Sequence, residues 1–206
     1  QDVFESCTLV NRNDRSIETY DRVACQFGYR DSIFKRELKH KAVITDVSLR
    51  LKKENYQLNT SYGVIAQLLA SKGISTPSPK EIADAVIDIR TTKLPDPKQL
   101  GNAGSFFKNP IVDHDQFMQL KSSFPDIPHY AQPNQNYKIP AAWLIEQVGL
   151  KGTREGDVGT HKHHALVLVN YGNASGHEIK TFSQKVQQTV EERFAIRLQP
   201  EVNFCC

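Results

Sequence analysis

Alternating apolar and polar positions dominate the first fifty residues of the chain. Residues 3–10 and 16–23 predict two strands joined by the polar turn 11–15, and residues 42–52 predict a third strand with one apolar face. A period of two is typical of strands that are half buried in a sheet. The sequence therefore begins with a region that we expect to be rich in β-structure.

Helical spacing replaces this alternation further along the chain. A short apolar run at residues 64–69 indicates one helix, and four stronger patterns follow N-terminal signals. Those four predicted helices begin at Ser78, Asp113, Pro140 and Ser175. Ser78 and Ser175 each precede a glutamate by three residues, which is a capping box. We expect the helix after Ser78 to end near Arg90 and Gly149 to cap the helix after Pro140.

The remaining segments complete a mixed architecture. Residues 165–170 predict a strand covered on both faces, residues 152–159 read as irregular, and residues 196–204 predict a last strand. Two prolines stiffen the connector 94–98 and indicate a domain boundary. We predict an α+β protein with a β-rich region 1–94, a compact α/β region 95–195 and a C-terminal strand segment 196–206.

The segment Gly101–Pro110, with the sequence Gly-Asn-Ala-Gly-Ser-Phe-Phe-Lys-Asn-Pro, is the most unusual stretch. Glycines at 101 and 104 favour a tight turn and permit close approach of a ligand, and Ser105 follows the second of them. The same composition also suits a turn in which Ser and Asn cap backbone groups and both phenylalanines are core.

Composition narrows the possible functions. The 206 residues carry 26 basic and 23 acidic side chains that are interspersed along the chain, without the basic stripe typical of nucleic-acid binding. No apolar run is long enough for a membrane span, and no signal peptide is recognisable. Four cysteines without a CxxC pair favour reducing cytosol. The first residues begin within a predicted strand and lack an initiator Met, so we expect further residues upstream.

Standard catalytic motifs are missing from the sequence. It contains no phosphate-binding loop, no Gly-x-Ser-x-Gly elbow and no dinucleotide fingerprint. The cluster His161–His164 raises the question of a metal, but no cysteine or acidic residue stands at ligand spacing around it, so we predict no metal site. The spacing of the remaining polar residues does not by itself show that they belong to one site.

Five separated motifs connect them through resemblance to a known family. They resemble, in order, motifs of the UDP-N-acetylenolpyruvoylglucosamine reductases, also called UDP-N-acetylmuramate dehydrogenases, and they are residues 27–32, 90–95, 101–110, 142–147 and 200–202. The resemblance implies a cytoplasmic flavoenzyme of peptidoglycan precursor synthesis that uses FAD and NADPH. The loop around Tyr62 is similar to that of the family's first type.

The resemblance also implies a division of the chain. Residues 1–94 would be the second half of an FAD-binding domain and residues 95–195 the substrate-binding domain. The part of the family that wraps most of the FAD would lie upstream of Gln1, and it would be a partner of this chain. The reaction implied is reduction of UDP-N-acetylglucosamine enolpyruvate. As an alternative, the 206 residues alone form a non-catalytic module that binds the UDP-sugar.

Specific roles follow from the same resemblance. Arg30 and Glu201 would lie at the substrate carboxylate, and Ser105 would deliver a proton to the adjacent carbon. The positions that resemble residues holding the UDP and pyrophosphate groups are Tyr62, Lys93, Asn109, Tyr130, Lys151 and His164. Lys93 suits a phosphate as a point charge, and Tyr130 offers a stacking face to uracil.

Overall fold

A computed structural model describes residues 2–54, 56–60 and 64–205, apart from the side chain of Lys93. Contacts divide the chain into two units, Gln1–Asn59 and Thr60–Cys206. The domain boundary predicted at 94/95 stays a prediction. Among the described residues, the longest helix has 19 residues, and none is apolar enough over 18 residues to cross a membrane.

The first unit is built on an antiparallel sheet. Its strands are β1 (Phe4–Asn11), β2 (Ile17–Asp21) and β3 (Ala42–Leu49), in the order β2-β1-β3. The predicted hairpin is confirmed, since β1 and β2 pair in antiparallel register. A short 3-10 helix, Ile33–Lys35, lies between β2 and β3.

Within this sheet only the central strand β1 has fully buried side chains, and β3 is largely exposed. Cys7, Leu9 and Cys25 are each at most 1% exposed and form the buried apolar part of the unit. By contrast, Val47 and Leu49 of β3 are 52% and 55% exposed, and β3 pairs only with β1 among the described strands. Exposed apolar side chains on an edge strand indicate a surface suited to a further layer of protein.

Two helices open the second unit, α1 (Ile65–Ser71) and α2 (Pro79–Lys93). They pack through a small core that includes Ile65, Leu69 and Ala85. The capping box predicted at Ser78 is present. Helix α2 continues three residues beyond the predicted end at Arg90, and the residue that follows it, Leu94, is extended because Pro95 comes next.

The remainder of the second unit alternates short strands with helices. In chain order its elements are β4 (Gly101–Ser105), β5 (Ile111–Val112), α3 (His114–Ser123), β6 (Tyr130–Ala131), β7 (Tyr137–Lys138), α4 (Ala141–Gln147), β8 (Arg154–Glu155), β9 (Val158–His161), β10 (His164–Asn170) and α5 (Gly176–Phe194). A 3-10 turn, Pro133–Gln135, lies between β6 and β7.

These strands form two antiparallel sheets. A four-stranded sheet has the order β4-β10-β9-β8, and a three-stranded sheet has the order β5-β7-β6. Helices α4 and α5 contact β10, and the core contains the fully buried Leu144, Ile145, Val186 and Val190. Mixed helices and antiparallel strands agree with the predicted α+β class.

Local chemistry explains where the later helices begin and end. Asp113 accepts a hydrogen bond from the Gln116 N–H at 2.9 Å, and Ser175 forms the predicted capping box with Glu178. After α4, Gly149 has φ of 73°, and its N–H and that of the next residue donate back to the last turn. The predicted glycine cap is therefore confirmed.

Two predicted segments differ from the structure. Residues 152–159, expected to be irregular, include β8 and the start of β9, which pair as a tight hairpin. Residues 196–204 were expected to be a strand, but no strand is present there and only Pro200 forms an isolated bridge, with Phe107. The prolyl nitrogen at 200 cannot donate to a ladder, which limits the pairing.

Candidate functional site

The glycine-rich segment forms an edge strand and not the expected tight turn. Strand β4 pairs with β10, so that Ser105 lies opposite Val167 and Asn102 lies opposite Val169. Three residue steps on β4 therefore match two on β10, which defines a β-bulge. Gly104 lies within the bulge with φ of 70°, a conformation that glycine adopts without steric cost.

Ser105, at the end of β4, is exposed and borders the C-terminal segment. The next residue, Phe106, accepts a hydrogen bond at its carbonyl from the Glu201 N–H at 2.8 Å. Lys108 N–H donates to the Gln199 carbonyl, also at 2.8 Å. The structure thus places the chain segments that carry the predicted proton donor and the predicted carboxylate side by side.

Buried side chains hold the C-terminal segment in this position. Ile196 is 4% exposed and Leu198 is fully buried in the main core. The Gln187 side chain, on α5, donates its Nε2–H to the Leu198 carbonyl at 2.7 Å. Glu201 therefore has a backbone position fixed by core packing on one side and by residues 106–108 on the other.

Asn109 connects this strand pair to helix α4. Its Oδ1 accepts a hydrogen bond from the Ala141 N–H at 2.9 Å, at the first residue of the helix. The neighbouring Pro110 carbonyl accepts from Ile139 N–H at 3.0 Å. A free N–H at a helix start needs such an acceptor. Asn109 has a structural partner, and its predicted substrate contact stays a prediction.

Tyr130 is displayed on the surface, as expected. It lies on β6 and is 58% exposed, and the Lys138 ammonium on β7 is 5.4 Å from the centre of its ring. An exposed ring beside a cation suits a base and an adjacent phosphate. Lys138 was not among the predicted site residues, because its position beside the ring results from the pairing of β7 with the Tyr130 strand, which no local sequence pattern indicates.

Lys151 and His164 lie near the other end of α4. The Lys151 ammonium contacts the Glu146 carboxylate at 2.8 Å. The next residue, Gly152, approaches the backbone of Lys162, in the turn that precedes His164. His164 begins β10, the strand that pairs with β4. The two predicted residues thus border the same turn.

The histidine cluster has a structural explanation. The rings of His161 and His164 are nearly parallel with centroids 5.8 Å apart, and the two residues are cross-strand partners. Burial, followed by the charges of His164, His163 and Lys162, lowers the pKa of His161. Among the described residues, no group of three or more His, Cys, Asp or Glu side chains is arranged to hold a metal ion.

Arg30 lies in the first unit, in a turn closed by hydrogen bonds between Gly28 and Asp31. It is exposed and has φ of 54°, which is uncommon for a residue with a side chain. Asp31 pairs with Arg36. Since Ser105 and Glu201 belong to the second unit, the meeting of all three predicted catalytic residues stays a prediction.

Two predicted substrate residues have side chains outside the described part of the chain, and the roles of all nine predicted site residues stay predictions. Tyr62 lies outside the described residues. Lys93 is the last residue of α2, and its side chain lies outside the described part of the chain. Of the nine predicted site residues, Ser105 and Asn109 lie on or next to the segment 106–108 that is hydrogen-bonded to residues 199–201, and Glu201 lies in that second segment.

Comparison with known proteins decides the family. The family model for the UDP-N-acetylenolpyruvoylglucosamine reductase C-terminal domain matches residues 96–205, which is over half of the chain. The chain belongs to this family. The proposed resemblance is confirmed, and it extends over almost the whole sequence, as the following relatives indicate.

Reductases of this name from two bacteria match nearly all of the chain. The one from Flavobacterium johnsoniae is 51% identical over 203 residues, covering 98% of the chain and 60% of the relative. The one from Pseudomonas aeruginosa is 44% identical over 204 residues, covering 99% of the chain and 60% of the relative. The chain thus spans about three fifths of the length of these curated relatives.

A solved structure has the same fold. The crystal structure of UDP-N-acetylenolpyruvylglucosamine reductase (MurB) from Thermus caldophilus matches with a TM-score of 0.57 and 23% identity. The match covers 98% of the chain and 53% of that structure. At this identity the likeness supports the fold only.

Proposed function

We propose that the chain is the later part of a cytoplasmic flavoenzyme of peptidoglycan precursor synthesis. The enzyme would reduce UDP-N-acetylglucosamine enolpyruvate to UDP-N-acetylmuramate with FAD and NADPH. Family membership supports this reaction. The observation that carries it is the hydrogen bond between the Phe106 carbonyl and the Glu201 N–H, since it brings the predicted proton donor and carboxylate segments together.

Charge development explains why these residue types suit the reaction. Hydride addition to the enolpyruvyl methylene carbon leaves negative charge on the neighbouring carbon and on the carboxylate. Arg30 would neutralise the carboxylate as a fixed cation, and Glu201 would lie at the same group. Ser105 would hold its hydroxyl proton against the carbanionic carbon, where position matters more than acidity.

This chain would hold only part of the FAD. The sequence has no glycine-rich turn for a pyrophosphate, and the exposed Val47 and Leu49 of β3 suit cover by another layer of protein. The portion of the relatives that this chain does not span would supply that layer. When bound, FAD reduced by NADPH supplies the hydride.

The sugar nucleotide would be held by residues of the second unit, Tyr62 among them. Tyr130 would stack on uracil, and Lys138 would place a cation beside it. Lys93 and Lys151 would approach the phosphates, and Asn109 and His164 would add further contacts to the UDP and pyrophosphate groups. The contact of Lys151 with Glu146 is partly exposed and weak enough to yield to a phosphate.

Half-reactions of a Ser105→Ala variant test the proposal in the full-length protein. We expect NADPH to bleach the flavin at the normal rate, whereas its reoxidation by the enolpyruvyl substrate should slow by at least 100-fold. Ser122→Ala, a change of an exposed serine on α3, is the matched control. Normal turnover of Ser105→Ala would exclude Ser105 as the proton donor.

A non-catalytic UDP-sugar module is the second candidate. It is favoured by the observation that a continuous core lies within residues 106–202, a range that also contains Asn109, Tyr130, Lys151 and His164. The visible spectrum of the purified 206-residue chain distinguishes the two. Stoichiometric yellow flavin supports a chain that retains the cofactor, and a colourless protein that binds UDP supports the module.

A further inference from the structure

The side chain of Asn102, at the start of the β-bulge that precedes Ser105, makes three hydrogen bonds to backbone groups. Its Nδ2 donates to the Pro95 carbonyl at 3.1 Å and to the Leu100 carbonyl at 2.8 Å, and its Oδ1 accepts from the Gly104 N–H at 3.0 Å. We propose that Asn102 is a positioning residue that acts on the reaction through Ser105.

The bond to Gly104 determines the register of the strand. An acceptor on residue 102 and a donor on residue 104 close a local turn, which holds Gly104 at φ of 70° and keeps the extra residue of the bulge on β4. A strand without that bulge would shift by one residue relative to β10. Such a shift turns a side chain to the opposite face, so the bulge decides on which face Ser105 lies.

The two bonds from Nδ2 attach the bulge to the connector before it. Pro95 follows the last residue of α2 by two positions. The phosphate-binding Lys93 predicted at that helix end and the proton-donating Ser105 are therefore linked through one amide group. Only an amide offers an acceptor and two donors on one short planar group, which explains why an asparagine suits position 102.

This inference rests on the proposed function, and half-reactions of the full-length enzyme test it. In Asn102→Ala, flavin reduction by NADPH should keep its normal rate, while reoxidation by the enolpyruvyl substrate should slow by about 10- to 100-fold, the scale of a small misplacement. Asn102→Asp retains the acceptor for Gly104 and loses both donations, so it should recover part of that loss.

A double variant shows whether Asn102 acts through Ser105. In a Ser105→Ala background, Asn102→Ala should slow reoxidation by less than twofold, because the group that it positions is already absent. Equal slowing of both half-reactions, or the same loss with and without the Ser105 hydroxyl, would overturn the proposal.

Amide exchange of the 206-residue chain separates this inference from the proposed function. Asn102→Ala should remove protection of the Gly104 amide, and Asn102→Asp should keep it. Unchanged protection in Asn102→Ala overturns the positioning role, whatever the kinetics. Normal turnover of Ser105→Ala overturns instead the proposed acid, and loss of Gly104 protection would then still support control of the bulge by Asn102.

Discussion

Attachment of the C-terminal segment should depend strongly on the buried Leu198. Leu198 is fully buried, so its replacement by alanine removes three core carbons and leaves a cavity. Such changes cost about 2–5 kcal/mol. Leu144→Ala is the matched control, because Leu144 is also fully buried but belongs to α4 and not to the segment that carries Glu201.

The two variants should differ in where the stability is lost. Residues 199–201 are attached to residues 106–108 by two backbone hydrogen bonds, each contributing about 1 kcal/mol net. The cavity at Leu198 costs as much as both bonds together or more. Local detachment of the segment should therefore become easier by about 30- to 4000-fold, which is 2–5 kcal/mol at 1.4 kcal/mol per factor of ten.

Hydrogen exchange of individual amides measures this difference. In Leu198→Ala, the N–H groups of Lys108 and Glu201 should exchange much faster than amides in the middle of α5. In Leu144→Ala, they should change together with the global free energy of unfolding from urea titration. If Lys108 and Glu201 keep the same protection relative to α5 in both variants, the segment is not held by Leu198 in the way described.

Two further predictions concern pH and close packing. Burial, then hydrogen bonding to Cys7, raises the pKa of the Cys25 thiol from about 9 to about 12. The unfolded chain therefore loses this proton at lower pH than the folded chain does, so the contribution of Cys25 to the free energy of unfolding should be complete below pH 9 and should fall as the pH rises towards 12. Urea titrations at several pH values measure this fall, and Cys25→Ala should remove the part of it that Cys25 causes. Gly159→Ala should destabilise the fold by about 1–3 kcal/mol or more, since its Cβ would lie 2.2 Å from the Thr153 carbonyl oxygen. Gly176→Ala, which has open space around it and no positive φ, should cost less in thermal unfolding.

Features that depend on neighbouring residues were predicted correctly from the sequence. The caps at Ser78, Asp113 and Ser175 follow from side chains that bond backbone groups three residues away. Chemistry of that range is visible in a short window. The hairpin of β1 and β2 was predicted for the same reason, because alternation and a polar turn are local signals.

Features that depend on partners distant in the sequence were not predicted correctly. Residues 101–105 have the composition of a turn, and only pairing with β10, over sixty residues later, makes them a strand. The C-terminal segment had the apolar alternation of a strand, but Pro200 and the lack of a continuous partner limit it to one bridge. The neighbourhood of Ser105 and Glu201 could be expected only from the family resemblance.

The link between residues 106 and 201 also determines when the site can form during synthesis. Roughly 95 residues separate Phe106 from Glu201, so the hydrogen bond between them is highly non-local in sequence. At about 5–20 residues per second, translation needs some 5–20 seconds to pass from one to the other. We therefore expect residues 106–108, which follow β4, to remain unpaired while the later residues are synthesised. They should pair with residues 199–201 only after the core of α4, β10 and α5 has formed.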